Sequence, residues 1–321
     1  MPLRFNKSHN LHIFLSIIYL FLSFPVIILN SLSENLSIAN NQQKEINKKY
    51  SIENSLKKFL IKNDYRSKLI MDCDFYEFKL KNKKKSNSFS FMDENCSNKN
   101  SKELTNKLRV GFLGDSHAQQ FINSFSKKDN YIYPLIGSGC LPEAILDISN
   151  NEKNYCKDLG EYIFSKDRLR SLNIIVISFD IIQNRKLVYN LISKLNKEYK
   201  DLKIILVGPV PRWENYLPKI AIRNLRGNVK DVYSNLSLNK SNLYHEEILK
   251  NDITKFNSPE IFYFSIIDIL CQGSIEKKCL VGFSNKEGSI SLTSYDKSHL
   301  TLETSEEIIR PEFEGFIKSL F

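Results

Sequence analysis

Residues 110–125 read VGFLGDSHAQQFINSF. A continuous apolar run stops at Gly114, and a stretch with helical character follows at once. An unbroken run of this length suits a strand buried on both faces rather than one with a wet side. From Leu108 onward the pattern recurs: YIYPLIG at 131–137, NIIVISF at 173–179, KIILVGP at 203–209 and IFYFSIID at 261–268. Helical segments lie between these runs, clearest over 158–171, 181–200 and 240–254. Strands alternating with helices predict an α/β domain with a five-stranded, mainly parallel sheet and helices on both faces. Sites in such sheets collect at the carboxyl ends of the strands. That rule directs attention to Gly114-Asp115-Ser116-His117.

A serine at a strand-to-helix turn presents its hydroxyl at the sheet edge, and its own amide lies at a helix start that favours developing negative charge. Gly114 permits the tight turn. Asp115 and Ser116 are also both good helix N-caps, and that plainer reading stands beside the catalytic one. A serine nucleophile needs a base, and the base needs an orienting carboxylate. Five histidines are available. His9 and His12 fall with the N-terminal apolar segment. His117 follows Ser116 directly, so its ring should diverge from the hydroxyl. His245, next to Glu246 and Glu247, reads as part of a solvated helix face. His299 remains, three residues after Asp296 in the segment YDKSHL at 295–300, so one short loop can supply base and orienter.

The N-terminus predicts the compartment. Residues 11–29 read LHIFLSIIYLFLSFPVIIL, an apolar run nearly long enough to span a bilayer as a helix. Arg4 and Lys7 precede it and the first later charge is Glu34, so the chain after residue 30 is expected outside the cytoplasm. An uncleaved membrane anchor over 1–30 is favoured over a cleaved signal, because no small-residue cleavage site follows. The six cysteines fall into local pairs, Cys73/Cys96, Cys140/Cys156 and Cys271/Cys279, with no C-x-x-C motif. Three short-loop disulfides in an oxidising setting are expected rather than a zinc site or six free thiols. Residues 31–104 read as an extracytoplasmic linker: a polar spacer to residue 50, a short amphipathic helix over 51–70 and a Lys-, Ser- and Asn-rich loop over 80–103. The net charge of +10 comes from 46 Lys and Arg, of which 36 are Lys. Lysine spread over a solvated surface explains it, and export argues against a nucleic-acid partner.

The G-D-S-H block and the D-x-x-H block resemble the first and last blocks of the SGNH (GDSL-like) hydrolase superfamily. Gly139-Cys140-Leu141-Pro142, the segment VGPVPRW at 207–213 and the Cys271/Cys279 pair narrow the resemblance to the SGNH domain associated with acyltransferase family 3, whose proteins O-acylate bacterial surface polysaccharides. The similarity covers roughly residues 105–321. It implies the flavodoxin-like three-layer SGNH fold, with Ser116 as nucleophile, His299 as base and Asp296 as its orienter. It implies an oxyanion hole from the amides of Ser116 and Gly139, with Gly137 as second choice, and no metal or organic cofactor. It also implies a surface glycan as substrate and a multi-span acyltransferase membrane protein as acyl donor. Asp115, His117 and Trp213 are weak candidates for substrate contact, Trp213 through stacking on a sugar ring or, equally, as a packed loop anchor. Arg223 and Arg226 are candidates for an anionic glycan, with a solvated surface as the default.

Two departures matter. The superfamily's third block offers an Asn to the oxyanion hole. Here the third strand runs into Ser178-Phe179-Asp180, with no Asn before Asn184. The chain also has one apolar span where the family's usual partner has many. The expected activity is O-acyl, specifically O-acetyl, transfer to a glycan. An O-acetyl esterase with the same triad, or a non-catalytic glycan-binding module, are the alternatives.

Overall fold

The computed structural model describes residues 33–44, 73–81, 88–96, 107–125, 130–146, 154–165, 168–180, 185–224, 231–235, 237–273 and 277–321. The apolar span at 11–29, the helix expected over 51–70 and Asn184 lie outside the described residues. Among the described residues no helix is long and apolar enough to cross a membrane. Residues 33–44, read from sequence as part of a spacer without periodicity, form an exposed helix.

The five apolar runs form one parallel sheet. Its strands are β1 (Leu108–Gly114), β2 (Asn130–Ile136), β3 (Ile174–Ser178), β4 (Lys203–Val207) and, after the short β5 (Asp231–Ser234), β6 (Ile261–Phe264). They pair in the order β2-β1-β3-β4-β6, each pair parallel. Both faces are covered, as the unbroken apolar runs require. Leu113, Leu135, Ile175, Ile177, Ile204 and Leu206 pack on one face against the helices Phe75–Lys81, Asn154–Phe164, Arg185–Glu198 and Lys240–Thr254. Val110, Phe112, Ile174, Val176, Ile205 and Val207 point to the other, against Ser116–Phe121, Ile266–Leu270 and Arg310–Ser319. Each fully buried aliphatic side chain contributes about 1.5–3 kcal/mol.

A second, antiparallel sheet joins β5, β7 (Cys271–Gln272), β8 (Lys278–Ser284) and β9 (Ile290–Leu292), with β8 at its centre. The sequence reading did not include it: β5, β7 and β9 are only two to four residues long, and the apolar run CLVGF at 279–283 that becomes β8 was not among the five strands expected. It matters because β9 leads into the segment holding Asp296 and His299. Disulfides join Cys73 to Cys96, Cys140 to Cys156 and Cys271 to Cys279, leaving no free cysteine. The last links directly opposed positions of β7 and β8.

Several local expectations are corrected. The run at 261–268 is a strand only to Phe264, because the Ser265 hydroxyl accepts the Asp268 amide and starts a helix. The helix expected over 158–171 starts at Asn154 and gives way after Phe164, with a separate 3₁₀ turn at Leu169–Ser171. The 80–103 stretch contains a helix at Ser88–Phe91 and a π-turn at Met92–Cys96. Phe75, Phe78 and Met92 are buried, so the segment joined by Cys73–Cys96 is part of the core. Glu246 is not on a solvated face: it is fully buried and accepts the Tyr263 hydroxyl and the Ser265 hydroxyl, with the Lys250 ammonium 3.3 Å away.

Candidate active site

Gly114 ends β1 in register with Ile136 of β2 and Ser178 of β3, so three strand ends meet at one edge. A Cβ on Gly114 would stand 1.7 Å from the Ser178 carbonyl oxygen, so only glycine allows this approach. Asp115 follows in extended geometry and caps the next helix, its Oδ1 accepting the His117 amide at 2.8 Å. Its Oδ2 accepts the Asp180 amide at 3.0 Å, tying the turn after β3 to the turn after β1. Both oxygens of Asp115 are thereby used inside the fold. Ser116 opens the helix with its hydroxyl at the sheet edge.

The other half of the site comes from 183 residues later. A bridge between Ser294 and Leu300 closes a tight loop, and the Tyr295 amide donates to the His299 carbonyl across it. Asp296 Oδ1 accepts the amides of Ser298 and His299, both at 2.8 Å. Its Oδ2 lies 2.7 Å from His299 Nδ1, and His299 Nε2 lies 2.9 Å from Ser116 Oγ. The loop is backed by the segment after β4, since the Trp213 and Leu217 amides donate to the carbonyls of Lys297 and Asp296. Burial pushes the Asp296 carboxyl up, but the hydrogen bonds and charge of His299 and the Ser298 amide outweigh it, leaving the pKa lowered to about 2. The carboxylate is thus ionised wherever the protein works.

The His299 ring lies against two others. Tyr295 stacks on it at 5.6 Å, nearly parallel, and His117 lies 4.9 Å away. His117, expected to diverge from the Ser116 hydroxyl, is buried beside the His299 ring. Burial pushes its pKa down, which favours an uncharged ring beside His299. Gln120, which the sequence reading missed, reaches His117 Nδ1 at 3.4 Å and accepts the Leu300 amide at 2.6 Å. Its place one helical turn after Ser116 was the only signal that could have found it.

The turn after β2 completes the edge. The Gly137 amide donates to the Gly114 carbonyl at 3.0 Å, so it is committed to the fold. Gly139 adopts φ 72°, the left-handed region that favours glycine. In the turn after β3, where no Asn follows the strand, Asp180 Oδ2 accepts the Arg212 guanidinium at 3.2 Å. Trp213 is corrected as a substrate contact: it is 1% exposed, so neither face of its indole is open to a sugar, and it anchors its loop. The Arg223 position lies in the helix Leu217–Asn224, and Arg226 lies outside the described residues.

Comparison with known proteins adds three findings. The family model described as the SGNH domain (fused to AT3 domains) matches residues 80–314. Curated proteins give no match. Among solved structures, the periplasmic domain of a lipopolysaccharide acetyltransferase from Salmonella ser. Paratyphi A is similar in fold, with a TM-score of 0.53 and 21% identity over 66% of this chain and 84% of that one. With the family model spanning most of the chain, on a five-stranded parallel sheet of the matching kind, this protein belongs to the family of SGNH domains found fused to AT3 domains.

Proposed function

We propose that this protein is an O-acyl-modifying enzyme that transfers an acyl group, specifically acetyl, through a covalent Ser116 intermediate. The observation that carries the reading is the chain of contacts from Ser116 Oγ to His299 Nε2 at 2.9 Å and from His299 Nδ1 to Asp296 Oδ2 at 2.7 Å. In this mechanism His299 takes the serine proton as Ser116 Oγ attacks the ester carbonyl. The oxyanion is held by the amides of Ser116 and Gly139. Collapse breaks the ester C–O bond, and the departing alcohol takes the proton from His299. An acceptor hydroxyl then gives its proton to His299 and attacks the acyl-enzyme; collapse breaks the acyl–Oγ bond, and Ser116 takes the proton back from His299 as it is freed. Asp296 remains ionised throughout and holds the ring in the tautomer that accepts at Nε2.

The acceptor on this reading is a sugar hydroxyl of a cell-surface polysaccharide. The family's association with AT3 domains supports a membrane acyltransferase as the source of acyl groups. A lipopolysaccharide acetyltransferase domain as structural relative supports a glycan acceptor. Three disulfides support an oxidising, extracytoplasmic location, periplasmic in a Gram-negative cell. The test is turnover of p-nitrophenyl acetate and acetylated xylan by the full chain in detergent, beside Ser116→Ala and His299→Ala. Either substitution is expected to reduce turnover by roughly 10³-fold or more. Efficient transfer to water would mark an esterase. Turnover only with an added glycan or the membrane partner would mark the transferase. Absence of Ser116 labelling by a fluorophosphonate would overturn the enzyme reading in favour of a binding module.

A further inference from the structure

Asp74 lies ahead of the residues matched by the family model and is fully buried. Among the described residues no cation pairs with it. Four donors converge on its carboxylate: the Tyr76 amide at 2.9 Å, the Ser138 amide at 3.1 Å, the Ser138 hydroxyl, and the Gln119 side-chain amide at 3.4 Å. Burying a carboxylate is costly, and burial pushes its pKa up against these hydrogen bonds. An ionised carboxylate accepts only, and so can take all four donors together.

The donors come from two parts of the candidate site. Ser138 stands between Gly137 and Gly139. Gln119 belongs to the helix that begins with Ser116. The turn is held on its other sides too: the Gly137 amide on the Gly114 carbonyl, the Cys140 amide on the Gly137 carbonyl at 2.8 Å, and the Cys140–Cys156 disulfide just beyond. Asp74 itself is fixed by its bridge to Ile136 and by its neighbour Cys73, disulfide-bonded to Cys96.

We propose that Asp74 is a positioning residue that clamps the Gly137–Gly139 turn to the Ser116 helix, so that the turn is set beside Ser116 before substrate arrives. The inference rests on reading Ser116 as nucleophile and Gly139 as oxyanion donor. A preset donor spares the reaction the reorganisation that water would need, and small displacements of such a group cost rate rather than binding.

The experiment compares the full chain in detergent with Asp74→Ala, Asp74→Asn, Ser138→Ala and Ser116→Ala. It measures p-nitrophenyl acetate kinetics, fluorophosphonate labelling, and hydrogen exchange of a peptide covering 135–141. Asp74→Ala is expected to lower kcat by about 10- to 100-fold with KM little changed, and to speed exchange in that peptide. Asp74→Asn keeps an oxygen for the Ser138 and Tyr76 amides and is expected to restore most of kcat. Ser138→Ala, useful if Asp74→Ala does not fold, should lower kcat by about 3- to 10-fold. Wild-type kcat in a folded Asp74→Ala or in Ser138→Ala, or unaltered exchange in Asp74→Ala, overturns the clamp while Ser116-dependent turnover stands. A wild type with neither turnover nor Ser116 labelling overturns the nucleophile reading itself, and the positioning role with it.

Discussion

Gln120 Oε1 accepts the backbone amide of Leu300 at 2.6 Å, across 180 residues of sequence. Gln120 lies on the helix that begins with Ser116, and Leu300 directly follows His299. One hydrogen bond therefore couples the element carrying the proposed nucleophile to the loop carrying the proposed base. Gln120→Ala is expected to lower kcat about 10-fold by loosening the Ser116–His299 contact. Gln120→Glu keeps the acceptor and is expected to retain most of the rate. Steady-state kinetics on the two variants decide it, and equal losses in both would contradict the coupling.

Asp296 should make the protein sensitive to acid. Its carboxyl is lowered to about 2 in the folded state from an ordinary 3.8. A depressed carboxyl contributes stability that is fully present above the unfolded value and is lost as pH falls through the folded one. The contribution is on the order of 2 kcal/mol and fades between about pH 4 and pH 2. Denaturant unfolding across that range should show a steeper loss in the wild type than in Asp296→Asn.

Gly114→Ala is expected not to yield a stable native protein. The new methyl would overlap the Ser178 carbonyl, and backbone on both strands would have to part. A cost of at least about 3 kcal/mol follows from overpacking a close strand pair. Thermal melts and soluble yield measure it, and a variant melting like the wild type would show that the edge can open.

Replacing Trp213 with Ala should cost about 3–5 kcal/mol of stability, as for other fully buried aromatics. A stacking platform would behave otherwise, raising KM for glycan with stability unchanged. Parallel melts and glycan kinetics separate the two.

The Cys73–Cys96 disulfide closes a separation of 23 residues and should contribute about 3 kcal/mol. The paired change to Ser is expected to lower the melting temperature and also kcat, because Asp74 adjoins Cys73. Cys271–Cys279 spans only 8 residues, and its removal should cost less, about 2–3 kcal/mol.

Much of this architecture was legible in the chain. Five runs of apolar residues became the five strands of one sheet, because a strand covered on both faces has no polar side to show. The Lys240–Thr254 helix was readable to the residue. Ser116 stood out by its place at the end of an apolar run, and Asp296 by lying three residues before His299, the one well-placed candidate among five histidines. In the second sheet β5, β7 and β9 carried too few residues for a period, and the apolar run of β8 had no strand-like neighbour in sequence to pair with. The strand at 261–264 was read too long because Ile266 and Ile267 are as apolar as a strand, and only the cap at Ser265 turns them into helix.

By itself, then, the sequence determined the elements that depend on neighbours within one turn or one strand: the parallel sheet, most of its helices, and the two blocks that flank the site. Tertiary structure alone decided which side chains meet. Asp74 finds Ser138 across 64 residues, Gln120 finds Leu300 across 180, and His117 comes to rest beside His299. Trp213 turned inward for the same reason. Periodicity is a local property of a chain, whereas burial and hydrogen bonding between distant segments are settled only when the sheet brings their ends to one edge.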